Sequence, residues 1–187
     1  MEPIIWKGHE LPGLESCRLV ELDEGWRIEG AAVLNYQGEA CRLDYLIDCD
    51  PTWSTRAAVV TGWVGAQSID ITVARDDDFV WTLNGITVPE VEGCTDIDLN
   101  FSPTTNTLPI RRLEPKIDET VNVRAAWLRF PTFALEPLEQ SYTRLDQHRY
   151  LYQSAGGAFQ AEVSVDDDGL IIDYGEIWSR VRGDRID

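Results

Sequence analysis

Short segments in which apolar and polar residues alternate recur along most of the chain, and turn residues separate them at regular intervals. This spacing constrains the fold more than any other feature, because strict alternation is typical of a strand with one buried face. No segment has the 3.6-residue periodicity of a long helix. The pattern predicts a meander of antiparallel strands in an all-β barrel or sandwich. The predicted strands are residues 16–22, 26–35, 40–49, 53–64, 68–75, 79–83, 94–101, 120–130, 132–143, 149–154, 158–165 and 170–174.

Turn residues set the ends of these predicted strands. Asn84-Gly85 is a strong signal for a two-residue type I′ hairpin, because both residues readily adopt positive φ angles. Residues 1–13 are interpreted as a lead-in to the first strand, and residues 176–181 as one turn of helix.

The length of the chain, 187 residues, is close to that of one domain. Hydrophobic residues make up 43% of it. A domain of this size buries roughly 70% of its unfolded surface, so it can form a large core without disulfides. Since no stretch has the composition of a linker, we expect residues 1–187 to form a single domain.

The formal net charge of -17 constrains the possible partners. A strongly acidic surface repels phosphate backbones and anionic membranes, which argues against nucleic-acid binding and against stable docking on an anionic bilayer. We also expect no integral membrane segment, because no apolar run approaches the roughly 20 residues that a spanning helix needs.

The cysteine and histidine residues give no sign of a metal site. The four cysteines are scattered without a CxxC pair, and the two histidines, His9 and His148, are far apart in the sequence. No phosphate-binding loop, dinucleotide fingerprint or nucleophile elbow is present, so no cofactor is expected. Buried free thiols and the absence of a secretory signal predict a cytoplasmic protein.

Residues 93–113 are the least ordinary passage of the chain. Asp96 and Asp98 alternate with apolar residues and therefore point to the same side of the predicted strand. The polar residues from Ser102 to Thr107 are expected to end that strand, and the next apolar segment leads into Arg111 and Arg112. The passage is thus predicted to be a strand–loop–strand unit in which the two arginines point to opposite faces.

The same passage resembles the signature of a bacterial family described as putative glycolipid-binding. The resemblance is carried by C-T-D-I-D-L at 94–99 and by S-P-T-T-N-T-L-P-I-R-R-L at 102–113. C-D-P-T-W-S-T-R at 49–56 also fits, although Asn84 stands where the family usually has Asp. The resemblance covers nearly the whole chain and implies an open barrel similar to that of bacterial lipoprotein carriers. It implies no catalytic residues. The predicted fold is accordingly one antiparallel meander sheet, curled into an incomplete barrel with little helix.

The carboxylates of Asp96 and Asp98 allow three interpretations. Side chains at alternate strand positions lie roughly 7 Å apart, a separation compatible with an inverting glycosidase. The same acids are suited to ion pairs with Arg56, Arg111 or Arg112 inside the barrel. They are also compatible with a solvated strand face.

Tryptophan is abundant, with seven residues, and indole rings stack well on sugars. A barrel lined by aromatic side chains and a few arginines suits an amphiphile with a sugar or acidic head. The candidate ligand-binding residues are Trp53, Arg56, Asp96, Asp98, Asn106, Arg111, Arg112 and Tyr142.

Three functions remain open from the sequence. The first is non-catalytic binding of a glycolipid-like amphiphile in the barrel cavity. The second is a hydrolase or isomerase that acts on a small carbohydrate or ester through Asp96 and Asp98. The third is a protein-interaction module with a filled barrel. A homodimer that pairs through an edge strand is also compatible with the fold.

Overall fold

The computed structural model describes residues 2–181, in which 15 strands form one continuous sheet. The strands are β1 (Ile4–Gly8), β2 (Gly13–Leu22), β3 (Gly25–Tyr36), β4 (Glu39–Cys49), β5 (Thr55–Val64), β6 (Gln67–Arg75), β7 (Trp81–Leu83), β8 (Ile86–Thr87), β9 (Asp96–Leu99), β10 (Thr120–Arg129), β11 (Ala134–Arg144), β12 (Arg149–Ser154), β13 (Phe159–Val165), β14 (Ile171–Tyr174) and β15 (Trp178–Arg180). The prediction of an all-β fold with little helix is confirmed.

The sheet consists of two meanders joined near the chain ends. Its strand order is β8 to β1, followed by β15 down to β9. The junction is the antiparallel pair β1–β15, in which Trp6 faces Arg180. At the far end β9 pairs in parallel with β10. The sheet therefore has two edges, β8 and β9, and it does not close into a barrel, as predicted.

Two sequence interpretations at this junction are wrong. Residues 1–13 are not a lead-in, because Ile4–Gly8 is β1, a strand in the middle of the sheet. Its alternation was hidden by the apolar Ile5, which is exposed between buried neighbours. Residues 176–181 do not form a helical turn, since Trp178–Arg180 is β15. Three residues are too few for a period to be recognised.

The hairpin prediction at residues 84–85 is confirmed. Asn84 has φ 51° and Gly85 has φ 79°, and the flanking residues Leu83 and Ile86 are strand partners. Two consecutive positive φ angles give the turn the twist that neighbouring antiparallel strands require.

The prediction of a strand–loop–strand unit over residues 93–113 is also wrong. After β9 the chain forms a 3-10 helix, Thr104–Asn106, and then the helix α1, Thr107–Leu113. Pro109 fits in the first turn of α1, where a backbone N–H has no partner within the helix. Glu114 ends the helix in the left-handed conformation.

Strand β9 is buried on both faces, and the two faces contact different parts of the core. Leu99 and the following Phe101 are fully buried, and the Phe101 ring contacts that of Tyr45 on β4. On the other face, Asp98 accepts a hydrogen bond from Gln140 on β11. The edge strand β9 therefore lies within the curled sheet instead of at its surface.

The open side of the sheet is bridged by isolated hydrogen bonds instead of a strand ladder. The backbone N–H of Thr55 donates to the carbonyl oxygen of Thr95 over 3.1 Å. The N–H of Ile97 donates to the Thr55 hydroxyl over 3.1 Å.

No helix within residues 2–181 is both long and apolar enough to span a bilayer. All four cysteines are buried free thiols, as predicted.

Candidate functional site

A cavity of approximately 390 Å³ lies against the second meander of the sheet. Strand registers place its walls on one face. Asp98 of β9 is level with Trp127 of β10, and Gln140 of β11 is opposite Ser154 of β12. Ser154 is in turn opposite Phe159 of β13. Because side chains directly opposite each other in a sheet share a face, these strands present their side chains to the same space.

Aromatic side chains form much of the cavity wall. They are Trp127, Tyr152, Phe159, Tyr174 and Trp178. The Tyr152 ring lies 5.9 Å from Phe159 and 5.7 Å from Tyr174, at interplanar angles of 62° and 81°. The Phe159 and Tyr174 rings are 6.4 Å apart at 71°. These steep angles make three of the five rings an edge-to-face cluster that stabilises the wall.

The polar part of the lining is formed by Glu10, Asp98, Asn100, Ser102, Asn106 and Ser154. The Gln140 amide donates to Oδ2 of Asp98 over 2.6 Å. The Asn106 amide donates to the carbonyl oxygen of Pro103, and its Oδ1 accepts a hydrogen bond from the Tyr142 hydroxyl over 2.9 Å. Burial raises the pKa of Asp98 to about 6, against the opposing effect of the Gln140 hydrogen bond.

Asp96 does not line this cavity. It forms a bidentate ion pair with Arg112 of α1, with N–O distances of 2.6 and 3.0 Å. The Asp96 side chain is 2% exposed and that of Arg112 is 18% exposed. Burial keeps the pKa of Asp96 above its ordinary value although Arg112 opposes the shift. Of the three interpretations of this carboxylate, the structure shows the ion pair.

Arg111 is outside the cavity lining and lies over an aromatic ring instead. Its guanidinium is 5.0 Å from the centre of the Trp53 ring, and Trp53 stacks on Trp26 at 4.6 Å. The two arginines thus separate because they occupy consecutive positions of a helix, not opposite faces of a strand. Arg56 is an exposed residue of β5.

The structure therefore distributes the sequence-predicted site residues over several places. Asp98 and Asn106 line the cavity, and Tyr142, which is outside the lining, donates a hydrogen bond to Asn106. The other predicted residues, Trp53, Arg56, Asp96, Arg111 and Arg112, are not in its lining. Sequence reasoning missed the aromatic residues of β12 to β15. Their signal was the recurrence of aromatic residues between 150 and 178, but the shared face became apparent only with the strand registers.

A buried carboxylic acid adjoins the cavity through Ser102. Oε1 of Glu15 accepts hydrogen bonds from the hydroxyls of Ser102 and Tyr45. Its Oε2 is buried and has no hydrogen-bond partner among the described residues. Burial raises the pKa of Glu15 to about 8, although both hydrogen bonds oppose the shift. The group therefore favours the protonated state in the folded protein at neutral pH.

Comparison with known proteins gives two matches that cover most of the chain. A family model described as "Putative glycolipid-binding" matches residues 3–180. A crystal structure of a DUF1089 family protein from Pseudomonas aeruginosa has a TM-score of 0.77 and 32% sequence identity. The similarity covers 89% of this chain and 92% of that chain. No curated protein matches this chain. The likeness thus includes the strands that surround the cavity.

Proposed function

The chain belongs to the family described as "Putative glycolipid-binding", and on this basis we propose that its cavity binds an amphiphilic small molecule without catalysing a reaction on it. The observation that carries this proposal is the combination of an aromatic wall with a few polar groups in one cavity. Sites for small molecules in proteins are mostly apolar, with a small number of polar groups that fix orientation.

The size of the cavity indicates which part of the ligand enters. Its volume of approximately 390 Å³ is in the lower part of the ~300–1,000 Å³ range of small-molecule sites. A head group with the first part of its chain fits such a volume. The rest of a long acyl chain then lies outside the cavity, so the protein recognises mainly the head.

The arrangement of the acids supports binding over hydrolysis. A glycosidase needs two carboxylates that flank the scissile bond. Here Asp98 faces the cavity, whereas Asp96 is held by Arg112 outside its lining. Asp96 and Asp98 therefore do not line the same cavity, which supports the binding proposal over the hydrolase alternative.

Calorimetric titration with a homologous series of alkyl glucosides, below their micelle concentrations, tests the proposal. Trp127→Ala removes an aromatic wall of the cavity, and Trp63→Ala is the matched control because Trp63 is exposed on the first meander. We expect Trp127→Ala to weaken binding by about tenfold or more, in line with the ~1.4 kcal/mol that tenfold represents. Trp63→Ala should leave the affinity unchanged.

Native mass spectrometry of the purified protein, before and after organic extraction, gives an independent measurement. A bound amphiphile that is lost on extraction supports the proposal. Absence of binding across both the alkyl series and the native preparation contradicts it, as does equal weakening by the two tryptophan substitutions.

A further inference from the structure

The charged residues in the lining of the cavity are all of one sign. Among the described residues its lining contains two carboxylates, Glu10 and Asp98, and no lysine, arginine or histidine. The arginines that the sequence suggested for an anionic head are engaged elsewhere, Arg112 with Asp96 and Arg111 over the Trp53 ring. A phosphate or sulfate head would therefore meet negative charge without a counter-ion in the lining.

One oxygen of Asp98 remains available to a ligand. Oδ2 accepts the hydrogen bond from Gln140, while Oδ1 receives none from the described residues. Among the described residues, Oε2 of Glu15 is the fully buried side-chain oxygen that lacks a hydrogen-bond partner, so Oδ1 of Asp98 does not belong to that class. Among the described residues Oδ1 of Asp98 therefore has no partner and is not fully buried, and Asp98 lines the cavity. A carboxylate oxygen in this position calls for a hydrogen-bond donor or a cation.

The surrounding rings favour a cation over a neutral donor. Tyr152, Phe159 and Tyr174 meet at steep angles in the wall. Trp127 and Trp178 also line the cavity, and the Trp127 ring already has the Arg129 guanidinium 5.5 Å from its centre. Aromatic faces attract cations through the quadrupole of the ring, and the attraction is stronger where water is displaced. Sites lined by several aromatic rings are the kind that bind ammonium groups, and Asp98 lines the same cavity as these rings.

We propose that the head group recognised by this cavity carries an ammonium group, either a protonated amine or a quaternary ammonium, which lies against Asp98 between the aromatic rings. This inference rests on the proposed function, since it names the class of head group for the same site. Neutral polyol heads bind more weakly, because they gain the hydrogen bond but not the charge. Anionic heads are rejected.

The test compares ligands that share one decyl chain and differ in the head: decyltrimethylammonium, decyl glucoside and decyl sulfate, each below its micelle concentration. Calorimetric titration at two salt concentrations separates the site from general attraction to a chain with net charge -17. We expect decyltrimethylammonium to bind about tenfold or more tightly than decyl glucoside. Decyl sulfate should show no measurable binding.

Variants then locate the effect. Asp98→Asn keeps the shape of the side chain and removes its charge, and it should weaken decyltrimethylammonium about tenfold or more and decyl glucoside by a smaller factor. Asp77→Asn is the matched control, since it removes the same charge from an exposed turn that does not line the cavity. It should leave all three affinities unchanged.

The outcomes are distinguishable. If none of the three ligands binds, the proposed function fails together with the inference. If the glucoside binds as tightly as decyltrimethylammonium, or Asp98→Asn and Asp77→Asn have equal effects, the inference is overturned and the proposed function stands.

Titration with tetramethylammonium, which has no alkyl chain, is the last measurement. If tetramethylammonium binds as tightly as decyltrimethylammonium, the protein binds a soluble ammonium ion, and the proposed binding of an amphiphile is contradicted. The ligand ranking on the unmodified protein holds even if a variant fails to fold.

Discussion

Asp96 and Asp98 show how far the role of a side chain depends on what the fold places beside it. The two acids have the same chemistry and leave the same face of β9. Asp96 meets the guanidinium of Arg112 and becomes part of an ion pair. Asp98 instead accepts a hydrogen bond from the Gln140 amide and lines the cavity, and burial raises its pKa to about 6. A pattern of alternating acids predicts the shared direction but not these different partners.

The Asp96–Arg112 pair is expected to be sensitive to the loss of one partner. Arg112→Ala leaves a carboxylate that is 2% exposed without its counter-charge, and we expect the free energy of unfolding to fall by about 3–5 kcal/mol. Arg18→Ala is the control, because Arg18 pairs with Glu29 at the surface with 60% of its side chain exposed. It should cost less than about 1 kcal/mol. Urea denaturation measures both, and similar losses for the two variants would contradict the expectation.

Glu15 predicts a dependence of stability on pH. Its pKa is about 8 in the folded protein and near 4.5 ordinarily, so the folded state binds the proton more tightly than the unfolded state. This contribution to stability is fully present below pH 4.5 and is lost as the pH rises to about 8. Within that window the loss approaches about 1.4 kcal/mol per pH unit. The groups that face the carboxyl are Tyr45, Ser102 and Cys17.

Glu15→Gln removes the titrating group and keeps an oxygen for the Tyr45 and Ser102 hydroxyls. We expect the stability of the variant, relative to the unmodified protein, to improve by several kcal/mol between pH 5 and pH 8. Urea unfolding at pH 5, 6, 7 and 8 gives the comparison. Parallel stability curves for the two proteins over this range would show that Glu15 is not protonated in the folded state.

At the scale of elements, the helix after β9 decides where the polar residues of the central passage go. The sequence of this passage, rich in Thr and Pro, predicts a loop and then a strand, but the chain forms a 3-10 helix and α1. The hydroxyls that suggested a loop instead satisfy buried backbone groups. Thr105 accepts from the N–H of Leu99, and Thr107 donates to the carbonyl oxygen of Gly169. Local propensity could not reveal this, because Gly169 is distant in the sequence.

The same helix explains why the arginines failed to assemble the site expected from the sequence. On a strand, Arg111 and Arg112 would leave opposite faces of one sheet. On α1 they reach two different partners, Trp53 and Asp96, and both are held away from the cavity. Except for Trp178 on β15, the aromatic residues that form the cavity come from strands that the sequence did place correctly. What the sequence lacked was their register, which depends on pairings between separate segments.

At the scale of the whole molecule, the meander was predictable and its closure was not. Alternation and turn residues give local strands and hairpins, and the pairs between successive strands follow from them. The junction β1–β15 joins residues at opposite ends of the chain, and no local pattern encodes it. That junction continues the sheet from one meander to the other. At this junction Trp178 of β15 is opposite Gly8 of β1, and its side chain lines the cavity.

The position of β1 leads to a prediction about local stability. A strand paired on both sides in the middle of a sheet opens only when much of the sheet opens, whereas an edge hairpin frays independently. We therefore expect amides in peptides that cover Ile4–Gly8 to exchange with solvent far more slowly than those that cover Ile86–Thr87 at the edge. Hydrogen exchange followed by mass spectrometry gives both rates, and the peptide over the equally central β3, Gly25–Tyr36, is the internal reference. Protection of Ile4–Gly8 that matches that of β3 supports a sheet that continues from the first meander through β1 into the second meander. Protection as low as that of Ile86–Thr87 would mean that the N-terminal strand detaches, leaving two separate meanders and a cavity wall without its support from β1.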